Sequence, residues 1–272
     1  MTDSRTPELA PELAPELASD RAVFQITGAD RFKFLQGLIS NDMLPLEKAP
    51  GLIWAALLTP QRKYLADFFV IRPADADHLL IDIKDTIAPA TLRRLTMYRL
   101  RADVQIAAVD MPVTRGLSPA PQGAFADPRH PALGWRAYGL PVPPQPLATR
   151  HIDWDALRVA HCIPETGIEL IPEDTYLLEA GFERLHGVDF RKGCYVGQEV
   201  TARMKHKTDL RKGLVTVGIT GHAPIGTPIM AADKEAGTLF TQSGQHAIAY
   251  LRFDRATGPL QAAGATVTFP PP

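Results

Sequence analysis

The most reactive feature of this 272-residue chain is a thiol set among cations and glycines. The run Arg191-Lys192-Gly193-Cys194-Tyr195-Val196-Gly197-Gln198-Glu199 puts Cys194 close to two positive side chains, and its glycines permit tight backbone turns. Neighbouring cations favour the thiolate, the form that attacks and binds sulfur, provided the side chain reaches solvent. The other reading of the same residues is a cysteine buried in a glycine turn, beside a solvated surface of Lys192, Arg203, Lys205 and Lys207. Cys162 adjoins His161 on a helix, where the two side chains point in different directions, and a core position is expected for it. Two cysteines in so long a chain argue against a disulfide scaffold and fit a reducing compartment. They are also too few for a self-contained iron–sulfur cluster, usually held by four thiolates. His151, Asp153 and Asp155 alternate as metal ligands on a strand would, but Asp153 serves better as a helix cap.

The elements that must position this thiol are legible in the apolar periodicity. Residues 1–19 contain PELA three times, and its prolines prevent a continuous helix, so a disordered tail is expected. From residue 22 a strand AVFQIT leads to Asp30, a candidate cap, and to a helix with Phe32, Leu35, Leu38 and Ile39 at helical spacing. Apolar strands at 52–58 and 64–71 flank the turn Pro60-Gln61-Arg62-Lys63, and HLLIDI follows at 78–83. Asp85 is the expected cap of a helix running to about Arg99, before the strand DVQIAAV at 103–109. The order describes a ferredoxin-like unit with one extra strand. Residues 111–150 are rich in proline and glycine, with strand candidates at 123–126 and 135–138 and a connector PVPPQP at 141–146. A helix capped by Asp153 carries Trp154, Leu157 and His161, and Pro164 ends it. VTVGIT, GTLFTQ, HAIAYLRF and ATVTF then predict a terminal β-barrel or sandwich.

Twenty-nine basic residues against thirty acidic ones leave a formal charge of −1, so no overall field recruits nucleic acid or an anionic membrane. No apolar run approaches the roughly 20 residues of a membrane helix, and the first residues lack a signal-peptide pattern. A cytoplasmic protein is the expectation. The basic run at 203–212 contains no interleaved aromatics, which leaves tRNA binding without support.

The string KGCYVGQE at 192–199, with Arg203 following, resembles the signature of the YgfZ-type folate-binding family, which is related to the glycine-cleavage T-protein. Further stretches match in the same order: Gly28-Ala29-Asp30 with Phe34-Leu35-Gln36-Gly37, Tyr98-Arg99-Leu100-Arg101, Asp127-Pro128-Arg129, Gly134-Trp135-Arg136, and Gly167 with Ile171-Pro172-Glu173. The resemblance covers residues 22–269. It implies an α+β fold, a T-protein-like multi-domain ring with a ferredoxin-like N-terminal unit and a C-terminal β-barrel. The expected divisions are a tail at 1–19, the first domain at 20–110, a second α+β region carrying the motif at 111–207, and the barrel at 208–272.

The function this implies is that of a folate-binding accessory protein for assembly or repair of iron–sulfur enzymes, with Cys194 as the key thiol. Tetrahydrofolate or a one-carbon derivative is the expected cofactor, bound without a covalent link, and no permanent metal or cluster is expected. Partners are then iron–sulfur enzymes or assembly proteins. Lys192, Tyr195, Gln198, Glu199 and Arg203 are assigned to the ligand, Lys192 and Arg203 meeting its acidic tail. The enzyme alternative is a folate-dependent aminomethyltransferase using Asp67, which falls where the T-protein carries its catalytic acid. Two departures weigh against it. Lys63-Tyr64-Leu65-Ala66-Asp67 lacks the glycine pair and one of two acids, and Leu157-Arg158-Val159-Ala160 lacks the acid expected to hold a pterin. The third reading is a tRNA-binding module.

Overall fold

The computed structural model describes residues 13–74, 76–140, 151–198 and 210–270. The connector at 141–146 and most of the basic run therefore lie outside the described residues, as do Glu199 and Arg203.

The first large sheet is antiparallel, in the order β3 (Gly51–Leu58), β4 (Tyr64–Arg72), β5 (Leu79–Lys84), β2 (Arg21–Thr27) and β6 (Gln105–Val109). Its last four strands have the ferredoxin-like arrangement, and β3 is the extra strand at the edge. Successive strand side chains point to opposite faces. Ala55, Leu57, Ala66 and Phe68 accordingly pack with Leu35 of α1 (Arg31–Gln36), Leu46 of α2 (Leu44–Lys48) and Leu95 of α3 (Ala88–Arg99). Trp54, Ala56, Leu58 and Phe69 face the other way, onto Leu177, Phe182 and Leu185. Burial on both faces explains why these strands read as nearly continuous apolar runs.

A four-stranded sheet follows, in the order β1 (Glu16–Leu17), β7 (Val113–Gly116), β9 (Trp135–Tyr138) and β8 (Phe125–Ala126). The tail expected at 1–19 is thus shortened: β1 pairs with β7, and Glu16 accepts hydrogen bonds from the Ile152 amide and Trp154 Nε1, both at 2.8 Å. α4 (Trp154–His161) is capped as expected, the Asp153 carboxylate accepting from the Ala156 amide at 2.8 Å. The other two caps are corrected. Asp30 makes no side-chain cap; its carboxylate accepts from the Asp103 amide, tying α1 to the start of β6. Asp85 lies in a turn, and α3 starts at Ala88 with proline in its first turn.

The C-terminal part is a closed six-stranded barrel, β10 (Lys212–Thr220), β13 (His246–Arg252), β12 (Lys234–Ser243), β11 (Pro228–Ala231), β14 (Leu260–Ala262) and β15 (Ala265–Thr268). Closure removes the free edges that an open sheet of this size leaves. The short strands β11 and β14 carry too little alternation to stand out in the sequence.

Candidate functional site

The loop carrying Cys194 is held by the residue two places before it. Lys192 is buried, and its Nζ donates to the carbonyls of Gln36, Ile39 and Asn41 at 2.8, 2.6 and 2.8 Å. All three lie at and just beyond the end of α1, where carbonyls have no intrahelical partner. Burial, only partly offset by Asp42 and Asp189, lowers the lysine to about 8. With its three protons engaged by the backbone, Lys192 acts as a clamp, a role different from the expected contact with an acidic tail.

Beyond the clamp, Cys194 is exposed, while Tyr195 is buried in the same core cluster as Trp54 and Tyr64. The next residue, Val196, packs against the cluster on the opposite face of the first sheet. The loop therefore lies against the turn end of the β3–β4 hairpin, near Leu58 and Thr59. Gly197 has φ +84°, and an added Cβ would stand 2.9 Å from the Thr59 carbonyl oxygen, so the second motif glycine is required by close approach. The Gln198 amide donates to the Tyr195 carbonyl, completing the turn.

Asp67 lies on the same hairpin but is enclosed. Its carboxylate accepts from Trp54 Nε1 at 2.8 Å, from the Tyr64 hydroxyl at 2.6 Å and from the Thr166 hydroxyl. Trp54 is in turn stacked on Phe182, with ring centroids 4.1 Å apart. These bonds join the first sheet to the Thr166 segment. Tyr64, pressed by burial and by the Asp67 charge, is raised well above its ordinary range and remains a neutral donor.

Sequence reasoning missed a second buried network. Asp82 is fully buried between the first sheet and β9, accepting from Arg21 Nε at 2.5 Å, Arg136 at 2.8 Å and the Tyr138 hydroxyl at 2.9 Å. Burial raises the carboxyl, but the two guanidinium groups outweigh it and hold Asp82 at about 2. Arg129 pairs with Asp127 at 2.8 Å and lies over the Phe69 ring. The available signal was an acid at an inward position of HLLIDI. The cavity beside these arginines, lined also by Trp154 and Glu165, holds only about 20 Å³. That is room for one water rather than a pterin.

A roomier cleft of about 420 Å³ lies where the 59–63 turn, the 169–180 segment and the barrel wall converge. Its charges are mixed, Lys63, Lys212, Arg252 and Arg255 against Glu169, Asp174, Glu179 and Glu235, and Phe240 and Tyr250 supply aromatic surface. The Lys63 and Lys212 ammonium groups lie 3.9 and 6.0 Å from the ring centre of Tyr176. The Tyr250 hydroxyl donates to Glu179 at 2.6 Å. Cys162, at the end of α4, is buried as expected, and burial pushes its thiol up to about 11.

Residues 211–272 match the family model described as CAF17, C-terminal beta-barrel domain. The "Iron-sulfur cluster assembly factor IBA57 homolog, mitochondrial" of Mycosarcoma maydis is 30% identical over 92% of this chain and 66% of its own length. The chain thus spans just under two thirds of that relative. The mouse and human IBA57 assembly factors are 28% and 27% identical, each over 88% of this chain and 78% of their own. Among solved structures, the glycine cleavage system aminomethyltransferase T from Bartonella henselae matches with a TM-score of 0.72, at 14% identity, over 96% of this chain and 87% of that one. The names also correct the expected location: these relatives are mitochondrial proteins, and the cytoplasmic expectation does not stand. By its barrel and its alignment along nearly the whole chain, this chain is related to the CAF17/IBA57-type iron–sulfur assembly factors, and it shares the fold of the glycine cleavage system aminomethyltransferase T.

Proposed function

We propose that the chain is a folate-binding accessory factor for assembly or repair of iron–sulfur clusters, working with iron–sulfur enzymes or assembly proteins, and that Cys194 is its acting thiol. The observation that carries this reading is the presentation of Cys194: an exposed sulfur on a loop whose base is clamped by buried Lys192. Such a loop offers a thiol to a partner at low ordering cost. Among the described residues there is no group of three or more His, Cys, Asp or Glu side chains able to hold a metal. Two cysteines are too few for the four thiolates that usually hold a cluster, so Cys194 supplies one ligand or one sulfur contact and the partner supplies the rest.

For the folate, the 420 Å³ cleft offers aromatic surface for a flat ring and a wall of mixed charge, in which Lys63, Lys212, Arg252 and Arg255 would meet the acidic tail in competition with Asp174, Glu179 and Glu235. The transferase reading draws support from the shared fold alone. Asp67, enclosed and engaged by three donors, is poorly placed to take a substrate proton.

The test is complementation at matched protein levels. Cys194→Ala is expected to fold normally and fail to restore iron–sulfur enzyme activity in a deletion strain, while Cys162→Ala restores it. Full rescue by Cys194→Ala defeats the thiol mechanism. Calorimetric titration with reduced folates tests the second half, and Lys212→Ala with Arg252→Ala should weaken polyglutamylated folate more than a tail-less pterin.

A further inference from the structure

The outer side of α3 has no part in the sites described above, yet it is unlike the rest of the surface. Between residues 86 and 102 the chain carries Arg93, Arg94, Arg99 and Arg101 and no acidic residue, although the whole chain is balanced to −1. Arg93 and Met97 stand four apart and therefore share one helix face, opposite the buried Thr91 and Leu95. Leu100 and Arg101 follow just past the helix end. Met97 is 69% exposed and Leu100 87%, and Leu100 has a positive φ of 45°, a conformation in which a leucine is strained. Among the described residues the four arginines make no ion pair. Five residues after Leu100 begins β6, the last strand in its sheet order, which among the described residues pairs with β2 alone.

We infer that Arg93, Met97, Leu100 and Arg101 form a docking surface for an acidic iron–sulfur assembly protein; the identity of that partner rests on the function proposed above. Unneutralised arginines around two exposed apolar side chains match a partner with carboxylates ringing an apolar spot, the arrangement of an interface centre and rim. Nucleic acid fits less well, since a phosphate backbone leaves Met97 and Leu100 unburied. A bilayer fits less well too, because the opposite face of α3 is already committed to the core. The open edge of β6 adds main-chain donors and acceptors that a protein strand can use.

The experiment places a benzoylphenylalanine photocrosslinker at Met97 of the full chain, and at Ile225 on the barrel as control, in cells depending on the protein. Irradiation at position 97 should give an adduct with an acidic iron–sulfur assembly protein, absent from the control. Arg93→Glu with Arg101→Glu should reduce that adduct by at least about tenfold and lower iron–sulfur enzyme activity without moving the melting temperature. If the reversal lowers the melting temperature, Arg93→Ala with Arg101→Ala repeats the test. No adduct, the same adduct from both positions, an adduct with a second copy, lipid or nucleic acid, or insensitivity to charge reversal overturns the inference. If charge reversal supports full enzyme activity while Cys194→Ala does not, docking at α3 falls and the proposed function stands. If both variants support full activity, that function falls as well.

Discussion

Cys194 stands in solvent beside a buried lysine, whereas Asp67, on the hairpin that the same loop lies against, is buried among a tryptophan, a tyrosine and a threonine. Both are reactive residue types, Cys194 on the stretch that resembles the YgfZ-type signature and Asp67 where the T-protein carries its catalytic acid. The difference lies in where their polar neighbours spend their hydrogen bonds. Around Asp67 every donor points at the carboxylate, so the acid ties strands together. Around Cys194 the principal donor points away, at carbonyls of the α1 end, so the sulfur is positioned without being occupied. A charged group beside a nucleophile thus supports it in two distinct ways, by contact or by fixing the backbone, and only the partners of the neighbour tell which.

The contrast breaks most directly at Asp67. Asp67→Ala strands three buried donors and is expected to cost about 3 kcal/mol, read from urea unfolding. A variant that unfolds like the parent but loses cellular function would reverse the comparison and make Asp67 a working acid. The next effect is the acid dependence of Asp82. Its carboxyl is depressed from 3.8 to about 2 in the folded chain, so its contribution is complete above about pH 4 and disappears as pH falls toward 2. The loss amounts to about 2 kcal/mol, and Asp82→Asn should flatten the stability profile across that window while lowering stability at neutral pH.

The loop is probed by Lys192→Met, which keeps the apolar stem and removes three hydrogen bonds. A destabilisation of about 1–2 kcal/mol is expected, with faster alkylation of Cys194 as the loop loosens. Because the folded lysine sits near 8, below its ordinary 10.5, the unfolded chain binds more protons between those values, and the cost of burying the ammonium is relieved as pH rises from about 8. Unchanged alkylation in Lys192→Met would show that the clamp does not position the thiol. The smallest effect is at the amino end. Glu16→Ala removes the bonds to Ile152 and Trp154 and should cost about 1 kcal/mol, while deletion of residues 1–12 leaves the melting temperature unchanged. A fall of many degrees on that deletion would mean that the segment docks onto the fold.

Much of the first sheet, α4 and the barrel is legible in the sequence because strand and helix periodicity, glycine turns and a capping aspartate are local properties. The motif glycine Gly197 and the buried Cys162 belong with them. What the sequence alone determined is therefore the residue inventory, the element order and the family likeness carried by KGCYVGQE. Tertiary structure decided the roles: that Lys192 holds the chain rather than facing solvent, that Asp67 is enclosed, that Asp82 gathers two arginines, and that Glu16 belongs to a sheet. Each depends on which remote backbone or side chain occupies the space beside a polar group, with sequence separations of 61 between Arg21 and Asp82, 99 between Asp67 and Thr166, and 156 between Lys192 and Gln36. Desolvation makes an unmet buried hydrogen bond costly, so such groups take their function from whatever partner the fold brings, which spacing along the chain does not encode.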